Sequence, residues 1–197
     1  MQLLLATHNE HKRREFERLL AGRWEVRTLP RGVELPPEDG ETFAENALGK
    51  ARAAAEATGL ASFADDSGIA AAALGGAPGV RSARYAGEHA SDEENLRKLL
   101  REVPAGGALE YVCAIAYVDP AEGVERVFEG RCAGKLAAEP RGEGGFGYDP
   151  AFVPDEGAST QTMAQLSDAQ KDAISHRGRA ARALLEWLES GESPTAG

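Results

Sequence analysis

Four short segments of this chain hold residue types that could do chemistry together. The first is Ala6-Thr7-His8-Asn9-Glu10-His11-Lys12, which follows an apolar run. A phosphate needs several donors converging on one point. A helix start supplies free backbone N–H groups and partial positive charge, to which Thr7, Asn9 and Lys12 add side-chain donors. The spacing is not that of a P-loop, and an ordinary capped helix start with solvated polar groups fits the string as well. The second segment pair is acidic, with Glu38 and Glu41 in one connection and Asp65 and Asp66 in another. Magnesium takes hard oxygen ligands, commonly one or two carboxylates completed by substrate phosphates and waters. Successive strand residues face opposite ways, so one of two adjacent aspartates can meet a metal while the other meets a water or a lysine. A turn with an aspartate cap is the plainer alternative.

The third segment, Gly144 to Pro150, sets Phe146 and Tyr148 among glycines and ends on Asp149. A glycine-flanked ring can offer its face to a planar ligand, and the carboxylate that follows can accept from a base N–H. A tight turn with Phe146 tucked into the core explains the same residues. The fourth is Ser175-His176-Arg177-Gly178, preceded by Lys171. Arginine carries five donors and no acceptor, so aimed at a purine edge it favours a carbonyl over an amino group. A helix kink with solvated charges is the competing reading.

The elements that must position these groups follow from periodicity and punctuation. Gln2 to Ala6 predicts a short buried strand, followed by a helix whose Phe16, Leu19 and Leu20 share a face before Gly22 stops it. Trp24 to Leu29 predicts a second strand, and a proline-rich acidic loop leads to a helix from Thr42 to about Thr58. On that helix Phe43, Ala47, Lys50, Ala51 and Ala54 recur at spacings of three and four, which turns Lys50 inward. Leu60 to Ala64 reads as a strand ending in the turn Asp65-Asp66-Ser67-Gly68, and Ser82 to Ala90 reads as loop. Ser91 and Glu94 form a capping box for a helix to Val103. Leu109–Val118 and Val124–Ala133 predict a hairpin, and Ala151 to Pro154 predicts a further short strand. Ser167 with Gln170 opens a short helix that stalls near Ser175, and a C-terminal helix follows. Residues 1–189 read as one domain and 190–197 as a disordered tail.

Composition narrows the class of partner. Of 197 residues, 22 are basic and 32 acidic, giving a net charge of -10. That balance argues against backbone-driven nucleic-acid binding and against an anionic membrane surface. A small polyanion remains compatible, because a few convergent cations and a divalent metal can hold phosphates inside an acidic protein. Cys113 and Cys132 lack metal-ligand spacing and read as buried reduced thiols. The apolar run at the N-terminus is too short for a signal peptide and no stretch approaches a spanning helix, so a cytoplasmic location is expected. Only five basic residues are lysine, which marks Lys12, Lys50 and Lys171 as places where a compact ammonium is wanted.

In order, THNEHK, EDGETFAENALGKA, FADDSG, LGGAPGVRSARYAG, GGFGYDP and AISHRG resemble the inosine triphosphate pyrophosphatases over nearly the whole chain. Those enzymes hydrolyse ITP, dITP and XTP to the monophosphate and pyrophosphate. The resemblance implies an α/β fold with an elongated mixed sheet flanked by helices, two lobes with the active-site cleft between them, and a homodimer. It implies that the loop of Thr7, His8, Asn9, Glu10, His11 and Lys12 grips the triphosphate, with Lys50 reaching the same phosphates. Glu38 and Asp66 would hold Mg²⁺ with Asp65 beside them, Asp66 would also accept a proton, and Ser67 would touch substrate. Phe146, Gly147, Tyr148 and Asp149 would cradle the base, and Lys171, His176 and Arg177 would close over base and phosphates. The chain departs from the family pattern at His8, His11 and Ala72. A related septum-inhibitor-type nucleotide pyrophosphatase and a nucleotide-binding module without turnover are the alternatives.

Overall fold

A computed structural model describes residues 2–156 and 160–190. The elements run β1 (Gln2–Leu5), α1 (Glu10–Leu19), β2 (Glu25–Thr28), α2 (Phe43–Thr58), β3 (Ser62–Ala71), α3 (Asp92–Glu102), β4 (Ala108–Asp119), β5 (Val124–Leu136), β6 (Phe152–Pro154), α4 (Asp168–Ile174) and α5 (His176–Ser190). The strands form one six-stranded sheet in the order β2-β1-β3-β4-β5-β6. β1 pairs parallel with β2 and β3, whereas β5 and β6 pair antiparallel, so the sheet is mixed and the class is α/β.

Local sequence explains these choices. Leu3, Leu4 and Leu5 are all buried, as an inner parallel strand covered on both faces requires. β4 is buried without a break from Tyr111 to Val118, while the second half of β5 alternates buried and exposed residues and so has one wet face. α2 starts at a Thr42–Glu45 capping box and ends at Gly59, whose φ of 68° suits the left-handed C-cap.

The chain divides into two compact units, residues 1–66, 113–130 and 179–197 forming the first and residues 67–112 and 131–178 the second. Within the first, Leu3, Leu5, Phe16, Phe63, Ile115 and Leu184 make one apolar cluster, and Leu4 with Ala47, Ala51, Ala54 and Ala64 makes another. Small alanines on α2 let the helix lie close to its strands, which draws the stem of Lys50 inward with them. Within the second, Ile69, Leu99, Tyr111, Leu136, Phe152 and Met163 form the core.

Two expectations are corrected. Asp65 and Asp66 do not sit in a turn; β3 runs straight through them to Ala71. Both are buried strand residues whose polar atoms meet side chains from α1 and α2, so the strand has no need to break for water. The segment expected as loop from Ser82 is partly regular, because a 3₁₀ helix covers Gly79–Arg84. The capping boxes at Ser91 and Ser167 form as expected, and α4 stops at Ser175. Of the expected tail 190–197, residues 191–197 lie outside the described residues. Among the described residues no helix is long and apolar enough to cross a membrane.

Candidate functional site

In the first unit, β3 offers its two aspartates to lysines from two helices. Lys12, in the first turn of α1, places Nζ 3.2 Å from Asp65 Oδ1 and 3.5 Å from the Asp65 carbonyl. Lys50, from the buried face of α2, donates to the same carbonyl at 2.7 Å and makes a close ion pair with Glu38. Its Nζ lies 4.0 Å from Asp66 Oδ1. Glu38 and Asp66 therefore share one ammonium. Burial works against the Lys50 charge, but Asp65, Glu38 and Asp66 outweigh it and the pKa is raised. Asp66 is also raised, first by desolvation and then by Glu38, against the lowering pull of Lys50, Lys12 and the Asn46 hydrogen bond. Three carboxylates thus gather around two lysines.

The α1 start is more self-contained than its sequence suggests. Asn9 Oδ1 accepts from the His11 and Lys12 amides at 2.9 and 3.1 Å, and Thr7 Oγ1 accepts from the Asn9 amide at 3.2 Å. His8, Asn9, Glu10 and His11 are exposed, and Glu10 is engaged by Arg13 at 2.7 Å. Arg13's hydrogen bond lowers the Glu10 pKa. Lys12 is thus the group of this loop that turns toward the aspartates.

The second unit builds a different cluster around Asp149, which is 3% exposed. Its Oδ2 accepts from Lys171 at 2.7 Å and from the Phe146 amide at 3.0 Å, and its Oδ1 accepts from the Tyr111 hydroxyl at 3.1 Å. Glycine at 145 is what allows this turn, because a Cβ there would meet Asp149 Oδ2 at 2.1 Å. The Gly147 amide donates to Asp92 Oδ2 at 3.0 Å and the Tyr148 hydroxyl to the Ser82 carbonyl at 2.7 Å, so the glycine-rich loop is tied to α3 and to the 3₁₀ segment. Arg177 is buried, donates to Ser67 Oγ at 2.7 Å and lies 5.7 Å from the Phe146 ring centre. Lys171 Nζ lies 5.3 Å from the same ring. His176 stacks on Tyr111 at 4.4 Å with the rings 3° from parallel.

The structure thus groups Lys12, Glu38, Lys50, Asp65 and Asp66 in the first unit, and Ser67, Phe146, Asp149, Lys171 and Arg177 in the second. Three residues absent from the sequence expectations belong with them. Asn46 donates to Asp66 Oδ2 at 2.8 Å, Tyr111 reaches Asp149, and the Cys113 thiol approaches Asp65 Oδ2 at 3.9 Å. Asn46 sits four residues before Lys50 on the inward face of α2, a spacing that could have flagged it. Nothing in the strand pattern of β4 separates Tyr111 and Cys113 from core residues.

Donor chemistry in the first unit suits a magnesium ion. Glu38 and Asp66 bring two hard oxygen donors to one cationic partner, the number of carboxylates magnesium takes when phosphates and waters complete its shell. Among the described residues no three histidine, cysteine or acidic side chains form a metal-holding group.

The profile of the Ham1 family matches residues 3–187. The chain is 50% identical over 200 residues to a dITP/XTP pyrophosphatase of Frankia alni, covering 95% of this chain and 97% of that protein. It is 50% identical over 198 residues to a dITP/XTP pyrophosphatase of Mycolicibacterium paratuberculosis, covering 95% and 96%. Among solved structures, a HAM1 protein from Coxiella burnetii superposes with a TM-score of 0.86 at 38% identity, covering 97% of this chain and 100% of that one. A nucleoside-triphosphatase / dITP/XTP pyrophosphatase from Mycobacterium abscessus superposes with a TM-score of 0.71 at 45% identity, covering 94% and 99%.

Proposed function

This chain belongs to the Ham1 family, and from that premise we propose that it is a pyrophosphatase of dITP, XTP and ITP, yielding the nucleoside monophosphate and pyrophosphate. The observation that carries the reading is the first unit's cluster, in which Glu38 and Asp66 share Lys50 while Asp65 holds Lys12. Carboxylates and two ammonium groups gathered at one place are suited to a metal-bound polyphosphate, since each partner completes the other's charge.

Glu38 and Asp66 would hold magnesium, which when bound would neutralise the charge that builds on the phosphate oxygens. Lys12 and Lys50 add their charge to the same phosphates, and Asp65 keeps both ammonium groups in place through its carbonyl and carboxylate. Asp66, oriented by Asn46, takes the proton of the attacking water. Thr7, His8, Asn9, Glu10 and His11 form the loop that carries Lys12 to the phosphates. A nucleoside triphosphate also carries a base, and the second unit supplies groups that suit one. Phe146 offers a ring face, Arg177 donates to the 6-carbonyl, and Asp149 accepts from N1–H. Gly147 and Tyr148 shape the loop, Lys171 holds its carboxylate, His176 stacks on Tyr111, and Ser67 steadies Arg177. Adenine presents an amino group and a bare N1 at these positions, so ATP would leave buried groups unmatched. A single functional domain over residues 1–189, a cytoplasmic location and a homodimer belong to the same proposal.

A pyrophosphate-release assay over ITP, dITP, XTP, GTP and ATP, with magnesium and with EDTA, tests the reading. Release from ITP and XTP that stops on chelation, with ATP the poorest substrate, is expected. Stabilisation by ITP without pyrophosphate would identify a binding module instead. Preference for pyrimidine nucleotides would favour the septum-inhibitor-type activity.

A further inference from the structure

We propose that Tyr111 is a specificity-determining positioning residue: its hydroxyl fixes the plane of the Asp149 carboxylate and so the direction in which that carboxylate can accept from a purine. This rests on the reading of Asp149 as the acceptor for the base. A carboxylate offers about four lone-pair directions. On Asp149 two are taken at Oδ2, by the Phe146 amide and Lys171, and one at Oδ1, by Tyr111. Donors on Oδ2 alone would leave the group free to pivot about Cβ–Cγ, a soft torsion for aspartate. A donor on the other oxygen removes that freedom and leaves a single direction open on Oδ1.

Tyr111 is itself immobilised. It is 6% exposed, its ring lies 4.6 Å from that of Phe152, and it stacks in parallel on His176. His176 precedes Arg177, so the acceptor and the donor assigned to the base have a common support in one tyrosine. Burial, followed by the nearby Asp149 charge, drives the Tyr111 pKa well above its ordinary value, so the phenol keeps its proton and always donates.

The consequence concerns which purine is turned away. A 6-oxopurine presents a donor at N1 beside an acceptor at O6, complementary to a fixed acceptor beside a fixed donor. Adenine presents the reverse, but its amino group can donate to a carboxylate able to swing toward it. Holding Asp149 still denies adenine that compromise.

The test is Tyr111→Phe, which keeps the ring and the stack and deletes only the hydroxyl. Steady-state rates on ITP and ATP with magnesium should show the ratio of their kcat/KM values falling about tenfold. The change should lie mainly in KM for ITP, with kcat little altered. A purely structural role would slow both substrates alike, and a ratio within twofold of the parent would overturn the proposal. On the unsubstituted chain, tyrosine labelled with carbon-13 at Cζ should show the Tyr111 resonance moving with IMP and not with AMP. Equal response to both, or to neither, overturns the proposal even if Tyr111→Phe fails to fold. A parent enzyme that releases no pyrophosphate from ITP would instead sink the functional reading.

Discussion

In the first unit three carboxylates, Glu38, Asp65 and Asp66, gather around two lysines, Lys12 and Lys50. In the second a single carboxylate, Asp149, is met by Lys171, a backbone amide and a tyrosine hydroxyl, while Arg177 turns its donors to a serine. Both are carboxylate–lysine assemblies, yet in one the carboxylates outnumber the lysines and in the other the donors outnumber the single carboxylate. A set of carboxylates suits a cation, and a guanidinium near a held carboxylate suits a carbonyl beside an N–H. On the proposed reading the same residue types, aspartate and lysine, serve opposite ligand chemistries according to what else is packed with them.

The largest effect should come from Asp66→Asn, which on the proposed reading removes both a metal ligand and the proton acceptor. Pyrophosphate release from ITP should fall by about a thousandfold or more. Stability of the metal-free protein should move the other way. The Asp66 pKa is raised by folding, chiefly through desolvation, so the folded state binds its proton more tightly than the unfolded chain does. Its contribution therefore declines as pH rises through that raised value, and at neutral pH the charged form is a burden that asparagine does not carry. Thermal unfolding in EDTA at neutral pH should show Tm unchanged or higher, with the gain vanishing toward acid pH. A variant that is both destabilised and fully active would break the distinction between the two clusters.

Asp149→Asn is the matching substitution in the second unit and should have the opposite sign. Lys171 is 5% exposed, and neutralising Asp149 takes away the ion pair that this buried ammonium makes at 2.7 Å. A loss of about 3 kcal/mol or more is expected at neutral pH, measured by denaturant unfolding. If Asp66→Asn and Asp149→Asn shift stability in the same direction, charge balance is not what separates the units.

How far the chain itself announced these assemblies varies by element. The helix starts were legible because capping is local: Thr42 with Glu45, Ser91 with Glu94 and Ser167 with Gln170 need only a few residues to form. The inward turn of Lys50 was legible from periodicity on an alanine-rich helix. The aspartate pair misled, because two acids before Ser-Gly resemble a turn until lysines from α1 and α2 are known to cover them. The cap at Asn9 was legible as well, since a capped helix start was one reading of its segment and its oxygen accepts from its own helix amides. Tyr111 was invisible for a physical reason. Its hydroxyl acts on a loop 38 residues away, and in the strand pattern it is one more buried aromatic.

The smallest effect sharpens the comparison within the second unit. Gly145 and Gly147 both adopt positive φ, 70° and 61°, in the loop that carries Phe146. Alanine at either position meets the left-handed penalty of about 1–2 kcal/mol. Only at 145 does a Cβ also strike the Asp149 carboxylate; at 147 nothing lies within 4 Å of it. Because three donors hold that carboxylate, it cannot step aside without giving up a hydrogen bond, and the added overpacking should cost about 1–3 kcal/mol more. Gly145→Ala should therefore unfold at a lower temperature than Gly147→Ala, and its kcat/KM ratio for ITP over ATP should fall while its kcat on ITP changes little. Equal stability of the two variants would mean that the carboxylate yields easily. A held acceptor would then be no part of how the second unit differs from the first.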